Sequence, residues 1–204
     1  MSAALNDPAL GLLETKTLTR GIEACDAMVK EAPVQVLWAR VNEPGRYLVL
    51  VGGLVDDVRQ ALRRGRTVAG EDVHDELFLA GPHRALLRAL EIPGQRPPHP
   101  EFEDLPGGRR EADDALGLIE CGSVAATLLA ADAAAKVAHV RLLAVRTGPD
   151  LHGKGLVAFR GEPADVESAV ARGAGLAEER AMLVRSTAIP GASPRALEAA
   201  LLRP

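Results

Sequence analysis

The sequence predicts an α+β protein made of two similar units in tandem, and three observations point to this class. Residues 9–14 (A-L-G-L-L-E) return almost unchanged as residues 115–120 (A-L-G-L-I-E). The apolar residues that follow each of these segments recur with the same strand and helix periods. Between the copies, residues 92–100 contain four prolines, which continue neither a helix nor a central strand. An internal repeat of this length indicates duplicated structural units.

The repeat divides the 204 residues into three segments. Residues 1–92 form the first predicted domain, residues 93–113 a Pro- and Gly-rich linker, and residues 114–204 the second domain. Each domain has roughly 90 residues, near the lower end of independent domain size. A unit of this size has a small core, so we expect oligomerisation to bury additional surface.

The two copies differ most in one loop. Val34 and Val140 share one offset, whereas Gly53 and Gly161 share an offset that is larger by two residues. The second copy therefore carries a two-residue insertion between Val140 and Gly161. The loop that contains this insertion is the first candidate for function.

Each domain begins with the same two predicted elements. A short apolar strand spans residues 10–14 in the first copy and 116–120 in the second. A helix follows, and its apolar residues step by four, three and four positions, which predicts one buried helical face. These residues are Leu18, Ile22, Cys25 and Val29 in the first copy, and Val124, Leu128, Ala131 and Ala135 in the second.

The remaining elements also match between the copies. Two strands, a second helix, a strand that ends at Pro82 or Pro190 and a short closing helix complete each domain. The order β-α-β-β-α-β predicts a ferredoxin-like arrangement, in which an antiparallel sheet is covered by two helices. The paired strands are predicted at residues 34–39, 47–52, 140–145 and 156–160, and the closing helices at 84–90 and 194–202.

Composition argues against several classes of function. Hydrophobic residues make up 47% of the chain but aromatic residues only 2%, which disfavours a stacking surface for single-stranded nucleic acid. The net charge of −4 gives no reason to expect nucleic acid or an anionic membrane as a partner. Two cysteines at non-equivalent positions build no disulfide framework, and the first residues do not resemble a secretory leader. We therefore expect a soluble protein of a reducing compartment.

An ordered series of motifs in both copies resembles the pattern of bacterial microcompartment shell domains. The second copy has A-L-G-L-I-E at 115–120, D-A-A-A-K at 132–136, R-G-E-P-A-D-V at 160–166 and I-P at 189–190. The first copy has A-L-G-L-L-E at 9–14, D-A-M-V-K at 26–30 and G-L-V-D-D-V at 53–58, with Gly52 where the family usually has Arg. The resemblance covers the whole chain except the linker and the tails.

The resemblance implies a structural protein and not an enzyme, with tandem shell domains in the standard, non-permuted order. It implies a homotrimer whose six domains imitate the family's hexamer and form a tile of the shell facet with a central pore for metabolites. The implied partners are other hexameric and trimeric shell proteins along the tile edges and, indirectly, encapsulated enzymes. The implied location is the microcompartment shell in the cytoplasm. Neither a cofactor nor a metal site is expected.

The resemblance also implies edge contacts. In the family, the Lys of D-x-[AM]-x-K contacts the neighbouring tile, and Lys30 and Lys136 hold that position. Residues His83 and Arg84 follow Pro82 and are further candidates for the edge. From the residues alone, Lys30 and Lys136 are more simply interpreted as ordinary exposed helix lysines. His83 and Arg84 are the weaker candidates, because the second copy has Gly191 after its proline.

The pore is the second implied site. In the family, the turn between the second and third strands projects to the symmetry axis and sets the aperture, and rings of charged residues there could select permeants. The alternative is that these are polar turn residues facing solvent. The candidates are Asn42, Glu43, Pro44, Gly45 and Arg46 in the first domain, and Gly148, Pro149, Asp150, Leu151, His152, Gly153 and Lys154 in the second.

Other functions find less support in the sequence. Residues 148–155 follow the G-x-x-x-x-G-K pattern of a phosphate-binding loop, but Gly155 replaces the Ser or Thr that would bind magnesium, and a strand is predicted to follow instead of a helix. The five histidines show no ligand spacing, and Cys25 and Cys121 are interpreted as structural. A small-molecule-binding regulator built on duplicated ferredoxin-like domains is the alternative to the shell role.

Overall fold

The computed structural model describes residues 9–90, 114–148 and 151–193. The predicted linker, the closing helix predicted at 194–202, and the loop residues Pro149 and Asp150 lie outside the described residues.

Within the described residues, both domains contain the predicted strands and helices in the predicted order. The first domain consists of β1 (Ala9–Thr15), α1 (Leu18–Glu31), β2 (Gln35–Asn42), β3 (Arg46–Gly53), α2 (Val55–Ala69), β4 (Val73–Ala80) and α3 (Arg84–Ala89). The second consists of β5 (Ala115–Cys121), α4 (Val124–Val137), β6 (Arg141–Arg146), β7 (Gly155–Gly161), α5 (Pro163–Glu179) and β8 (Leu183–Ile189).

Each domain is built on a four-stranded antiparallel sheet. The strand orders are β2-β3-β1-β4 and β6-β7-β5-β8. The registers match as well, since Ala9 pairs with Gly53 in the first sheet and Ala115 with Gly161 in the second. The predicted α+β class, with two tandem domains, is confirmed.

One face of the first sheet packs against α1 and α2. Leu13, Val49 and Val51 of the sheet join Met28 of α1 and Val58 of α2 in one buried cluster. These strand residues lie two positions apart or directly opposite one another, so they share a face of the pleated sheet. This cluster forms the core between the first sheet and its helices.

The opposite face of the first sheet is also buried. Its leucines, among them Leu12, Leu50 and Leu77, belong to a cluster that continues through α3 into the second domain, where Leu128 and Phe159 are fully buried. Because both faces are covered, every residue of β1 is buried, and the strand is apolar along most of its length. This second cluster is therefore a hydrophobic core that the two domains share, separate from the core between the first sheet and its helices.

A helix–strand contact shows how both domains keep the same packing with different residues. In the first domain, a Cβ added to Gly21 of α1 would lie 2.6 Å from the Cβ of Tyr47 in β3. At the matching positions of the second domain the sizes are exchanged, and a Cβ added to Gly155 would overlap the hydroxyl of Thr127. Only one partner of each pair can be large, because the backbones approach so closely.

The burial predicted for the apolar face of the first helix is wrong for three of its four residues in the single chain. Leu18, Ile22 and Val29 are exposed in the single chain, and α1 buries Gly21, Ala24 and Met28 against its own sheet instead. The matching face of α4, which includes Leu128, is buried because β4 and α3 of the first domain pack against that helix. The periodicity thus located an apolar face that points away from the domain's own sheet.

We predict that Gly21→Thr destabilises the protein, because the new side chain would meet Tyr47. Overpacking of this kind lowers the free energy of unfolding by about 1 to 3 kcal/mol. Adding Tyr47→Gly reproduces the second domain's arrangement and should recover part of the loss. Chemical denaturation measures both effects.

Gly175→Thr is the matched control, because a Cβ at this position on α5 meets nothing within 4 Å. An equal loss of stability in Gly21→Thr and Gly175→Thr would contradict the packing explanation.

Candidate functional site

The predicted turn of the first domain is shorter than the sequence suggested. Because β2 ends at Asn42 and β3 begins at Arg46, Glu43, Pro44 and Gly45 alone form the turn. Asn42 is buried, whereas Glu43 keeps 55% of its side chain exposed. The ends of the predicted loop are thus part of the sheet.

The loop of the second domain connects β6 to β7. Within its described part, the amide of Leu151 donates to the carbonyl of Gly148 at 3.3 Å, and the amide of Lys154 donates to the carbonyl of Leu151 at 3.0 Å. The ammonium of Lys154 lies 2.9 Å from Glu120 Oε1, at the end of β5. A strand follows this loop, as predicted, so a helix N-terminus that could receive a phosphate does not follow.

The two predicted pore loops lie against each other. His152 Nδ1 is 3.3 Å from Glu43 Oε2, and Arg46 Nη1 donates to the carbonyl oxygen of Gly153 at 3.2 Å. Sequence reasoning placed both loops at one site but did not predict contact between them within a single chain.

Gly153 is required by this contact for two reasons. Its φ of +81° lies in the left-handed region that favours glycine. In addition, a Cβ at this position would lie 2.7 Å from the carbonyl oxygen of Glu43 and 2.9 Å from Arg46 Nη1. Any other residue would push the two loops apart.

The carboxylate of Glu14 connects the loop contact to the domain junction. The side chain has no exposed surface. Its Oε1 accepts a hydrogen bond from Arg46 Nη1 at 3.0 Å, and its Oε2 accepts one from the backbone amide of Val124 at 3.1 Å. Val124 is the first residue of α4, so the carboxylate also lies at the positive end of that helix.

Burial dominates the ionisation of Glu14. It raises the pKa of the carboxyl group from 4.5 to about 7, and the negative charge of Asp75 adds to the increase. The positive charge of Arg46, its hydrogen bond and the amide of Val124 lower the pKa and keep the increase from being larger. The sequence showed Glu14 only as half of a repeated pair with Glu120.

A second polar cluster joins the same two domains. Asp75 of β4 accepts a hydrogen bond from Ser123 Oγ at 2.5 Å and forms an ion pair with Arg180, at the end of α5. Arg180 also donates to the carbonyl of Glu76 at 2.5 Å. Ser123 additionally caps α4, because its Oγ accepts from the amide of Ala126 at 3.0 Å. Sequence analysis missed this cluster, and only the serine before a helix could have signalled part of it.

The predicted edge lysines each bind an aspartate on their own helix. The ammonium groups of Lys30 and Lys136 lie 2.6 Å from Asp26 and Asp132, respectively. Asp26 is exposed, whereas Asp132 is buried and also accepts the backbone amide of His83 at 2.7 Å.

The two further edge candidates lie at the start of α3. Nδ1 of His83 accepts the amide of Ala85 at 3.2 Å and thereby caps the helix, while Arg84 is exposed. Because its amide donates to Asp132 of α4, His83 is part of the contact between the domains.

Other chemistry finds little support at these positions. Burial raises the pKa of the Cys121 thiol to about 11, so it stays protonated at neutral pH, as a structural cysteine does. Within 9–90, 114–148 and 151–193, His, Cys, Asp and Glu side chains do not gather in threes as a metal ion would require. None of the helices in these same ranges is long and apolar enough to cross a membrane.

The chain is similar to known proteins along most of its length. Residues 9–82 and 115–192 match the family described as BMC domain. Bacterial microcompartment shell protein PduT from Citrobacter freundii is 34% identical over 184 residues, which cover 89% of this chain and 91% of that protein. Carboxysome shell protein CsoS1 from Prochlorococcus marinus is 41% identical over 86 residues, or 40% of this chain and 82% of that protein. A solved microcompartment protein from Desulfitobacterium hafniense DCB superimposes with a TM-score of 0.73 at 38% identity, covering 93% of this chain and 98% of that one.

We predict that Glu14→Gln reduces the pH dependence of stability between pH 4.5 and 7. A carboxyl group whose pKa is raised on folding contributes stability that is fully present below pH 4.5 and is lost as the pH rises through about 7. The difference between the wild-type protein and the variant should change by about 3 kcal/mol across this window. Denaturant unfolding at several pH values measures it, and parallel curves for the two proteins would contradict the assignment.

Proposed function

Because the chain belongs to the BMC domain family, as its repeated motifs indicated, we propose that this structural shell protein assembles as a homotrimer. Its six domains would form a ring around a central pore through which metabolites pass. The trimer would tile the facet of a microcompartment shell in the cytoplasm and have no catalytic role of its own.

One observation carries the proposal: the chain contains one complete domain junction and two open halves of the same junction. In the complete junction, β4 and α3 cover α4, and Leu128 is 0% exposed. At the matching position of α1, Ile22 is 54% exposed. At the other end of the chain, β8 is the counterpart of β4, and it leaves Arg185 and Ile189 exposed. Docking β8 of one molecule on α1 of the next repeats the junction.

The polar residues at the open halves support the same docking. Within the chain, Asp132 accepts a hydrogen bond from the amide of His83. Asp26 and Gly191 occupy the matching positions, so the exposed carboxylate of Asp26 in one molecule would accept the amide of Gly191 in another. Glu120 and Lys154 occupy the positions that match Glu14 and Arg46, and their side chains also form an ion pair. The first amide of α1 in a neighbouring molecule would complete that site.

Head-to-tail docking of this kind either closes into a ring or grows into an open filament. Six domains of the family's size close a ring, and three molecules of this chain supply six. Closure also covers the apolar face of α1, which a monomer leaves in water.

The pore would be lined by both loops in alternation. Glu43 and His152 keep 55% and 80% of their side chains exposed, and the two residues contact each other. Three Glu43 carboxylates around an axis, each beside a His152 ring, would form a ring of negative charge, which selects ions and polar molecules as charged rings do in channels. Lys154 extends the same loop and adds a positive charge near Glu120.

The tile edges would be formed by Lys30 and Lys136 at the ends of α1 and α4, with Arg84 as a further contact. A lysine can lay its aliphatic stem along a neighbour while its ammonium binds carbonyl oxygens there. Other shell proteins would be the neighbours at these edges.

We predict that Ile22→Arg prevents trimer formation, because it places a charge on the open face of α1. Light scattering should show a monomer where the wild-type protein is a trimer, and negative-stain images should lose their hexagonal outline. Leu54→Arg is the matched control. Leu54 is 60% exposed. Glu162 occupies the matching position in the second domain and is exposed even though α4 of that domain is covered at the complete junction. The position of Leu54 therefore lies outside the proposed interface.

Several results would contradict the proposed trimer. A wild-type monomer or dimer, especially one whose melting temperature rises with a small ligand, would favour the regulator. Equal loss of the trimer in Ile22→Arg and Leu54→Arg would show that the α1 face has no special role.

We also predict that the second-domain loop shapes the pore without holding the trimer together. Replacing residues 148–152 with Gly-Ser-Gly removes His152 but keeps Gly153, Lys154 and the α1 face. The trimer should persist, and cryo-electron microscopy should show a changed opening at the axis. Dissociation of the trimer would show that the loop is an assembly element.

A further inference from the structure

The second domain has an apolar notch beside its edge lysine. The notch encloses about 280 Å³ between α4 and α5. Leu129, Ala133, Val137 and Leu176 form its apolar lining, and Lys136 and Arg172 are exposed at its margin. Asp132 also lines the notch, and its carboxylate lies 2.6 Å from the ammonium of Lys136. We call Leu129, Lys136, Val137, Arg172 and Leu176 the second-domain edge.

The same positions in the first domain carry different chemistry. Glu23 stands in place of Leu129, and Glu31 stands in place of Val137, while Lys30, Arg64 and Val68 match the other three residues. We call these five the first-domain edge. Glu31 accepts a hydrogen bond from Gln60 at 3.1 Å and lies 3.9 Å from Arg64, so its carboxylate is held at the surface between α1 and α2.

The two edges are therefore complementary. Each edge has two basic residues, and in each the lysine is paired with an aspartate of its own helix. Only the first-domain edge adds two further carboxylates, of which Glu23 lies 2.7 Å from Arg20. Only the second-domain edge adds a largely exposed apolar side chain, that of Val137. Carboxylates of one edge can meet Lys136 and Arg172 of the other. The aliphatic stems of Lys30 and Arg64 can at the same time cover the apolar lining of the notch.

We propose that the first-domain edge of one molecule docks on the second-domain edge of another, so that all tiles of a layer share one orientation. The proposal rests on the trimeric tile proposed above. Its partner is a second copy of this chain, recognised by the carboxylates of Glu23 and Glu31.

Geometry makes the pairing uniform across a layer. A trimer of two-domain chains has edges that alternate around its six sides. When all tiles have the same orientation, each side of a tile faces the opposite side of its neighbour. Because the two kinds of edge alternate, opposite sides belong to different domains, and every contact therefore joins a first-domain edge to a second-domain edge. Rotating one tile by a sixth of a turn pairs like edges instead, which brings carboxylates against carboxylates at half of its sides and basic residues against basic residues at the other half.

Energetics favour the uniform layer through many small contributions. One exposed ion pair is worth at most about 1 kcal/mol. A tile surrounded on all sides makes such contacts at every edge, and like-charge contacts at those edges are unfavourable. The pairing of unlike edges therefore decides orientation in a layer even though each contact is weak.

The test uses charge exchange at the two edges of the full-length protein. Glu23→Lys with Glu31→Lys makes the first-domain edge basic, and Leu129→Glu with Val137→Glu makes the second-domain edge acidic. Each double variant should raise the protein concentration needed for layer formation by on the order of tenfold. Combining all four substitutions should restore layers. Glu71→Lys with Glu167→Lys is the control, because it makes the same charge change as the first variant at exposed positions outside both edges.

Light scattering and image averaging separate the outcomes. Absence of a wild-type trimer would overturn the tile itself. A wild-type trimer that forms no layers of its own would overturn the pairing and point to another shell protein as the neighbour. Unchanged layers in both double variants, failure of the fourfold variant to restore them, or averaged images with tiles in two orientations would also overturn the pairing. Loss of layers in the double variants, recovery in the fourfold variant and a single tile orientation support it.

Discussion

The buried carboxyl group of Glu14 holds the two domains and both pore-loop candidates in one geometry through the hydrogen bonds that its two oxygens accept. One oxygen binds Arg46, whose Nη1 also donates to the carbonyls of Gly122 and Gly153 in the second domain. The other oxygen binds the first amide of α4. Loss of any one of these donors would leave charge or polar groups without a partner in a buried place. The turn of the first domain, the loop of the second and the start of α4 are therefore fixed together.

The duplication has produced one junction inside the chain and left two halves open. Inside the chain the junction has acquired specific polar partners, such as Asp75 with Ser123 and Arg180. At the open halves the counterpart of Asp75 is Leu183, and the apolar face of α1 is exposed. A covalent link holds the first junction close, so it can rely on precise polar geometry, whereas association of separate molecules depends more on buried apolar area.

The sequence predicted the elements well because each domain obeys simple periods. The strands around residues 34–39 and 47–52 extend only a few residues beyond the predicted ends. The apolar face predicted to be buried on α1 is exposed in the single chain, because the domain's own sheet packs against a different side of the helix. Asp75 and Arg180 were missed because they lie far apart in the chain and meet only where the domains pack.

The sequence by itself determined the duplication, the antiparallel α+β fold and the family, because these depend on local period and on motifs that stand in order along the chain. Only the tertiary structure decided that Glu43 contacts His152, that Glu14 is buried between domains, and that Leu128 is covered while Ile22 is open. The physical reason is that burial and ion pairing depend on what packs against a residue, and for these residues the neighbour comes from the other domain.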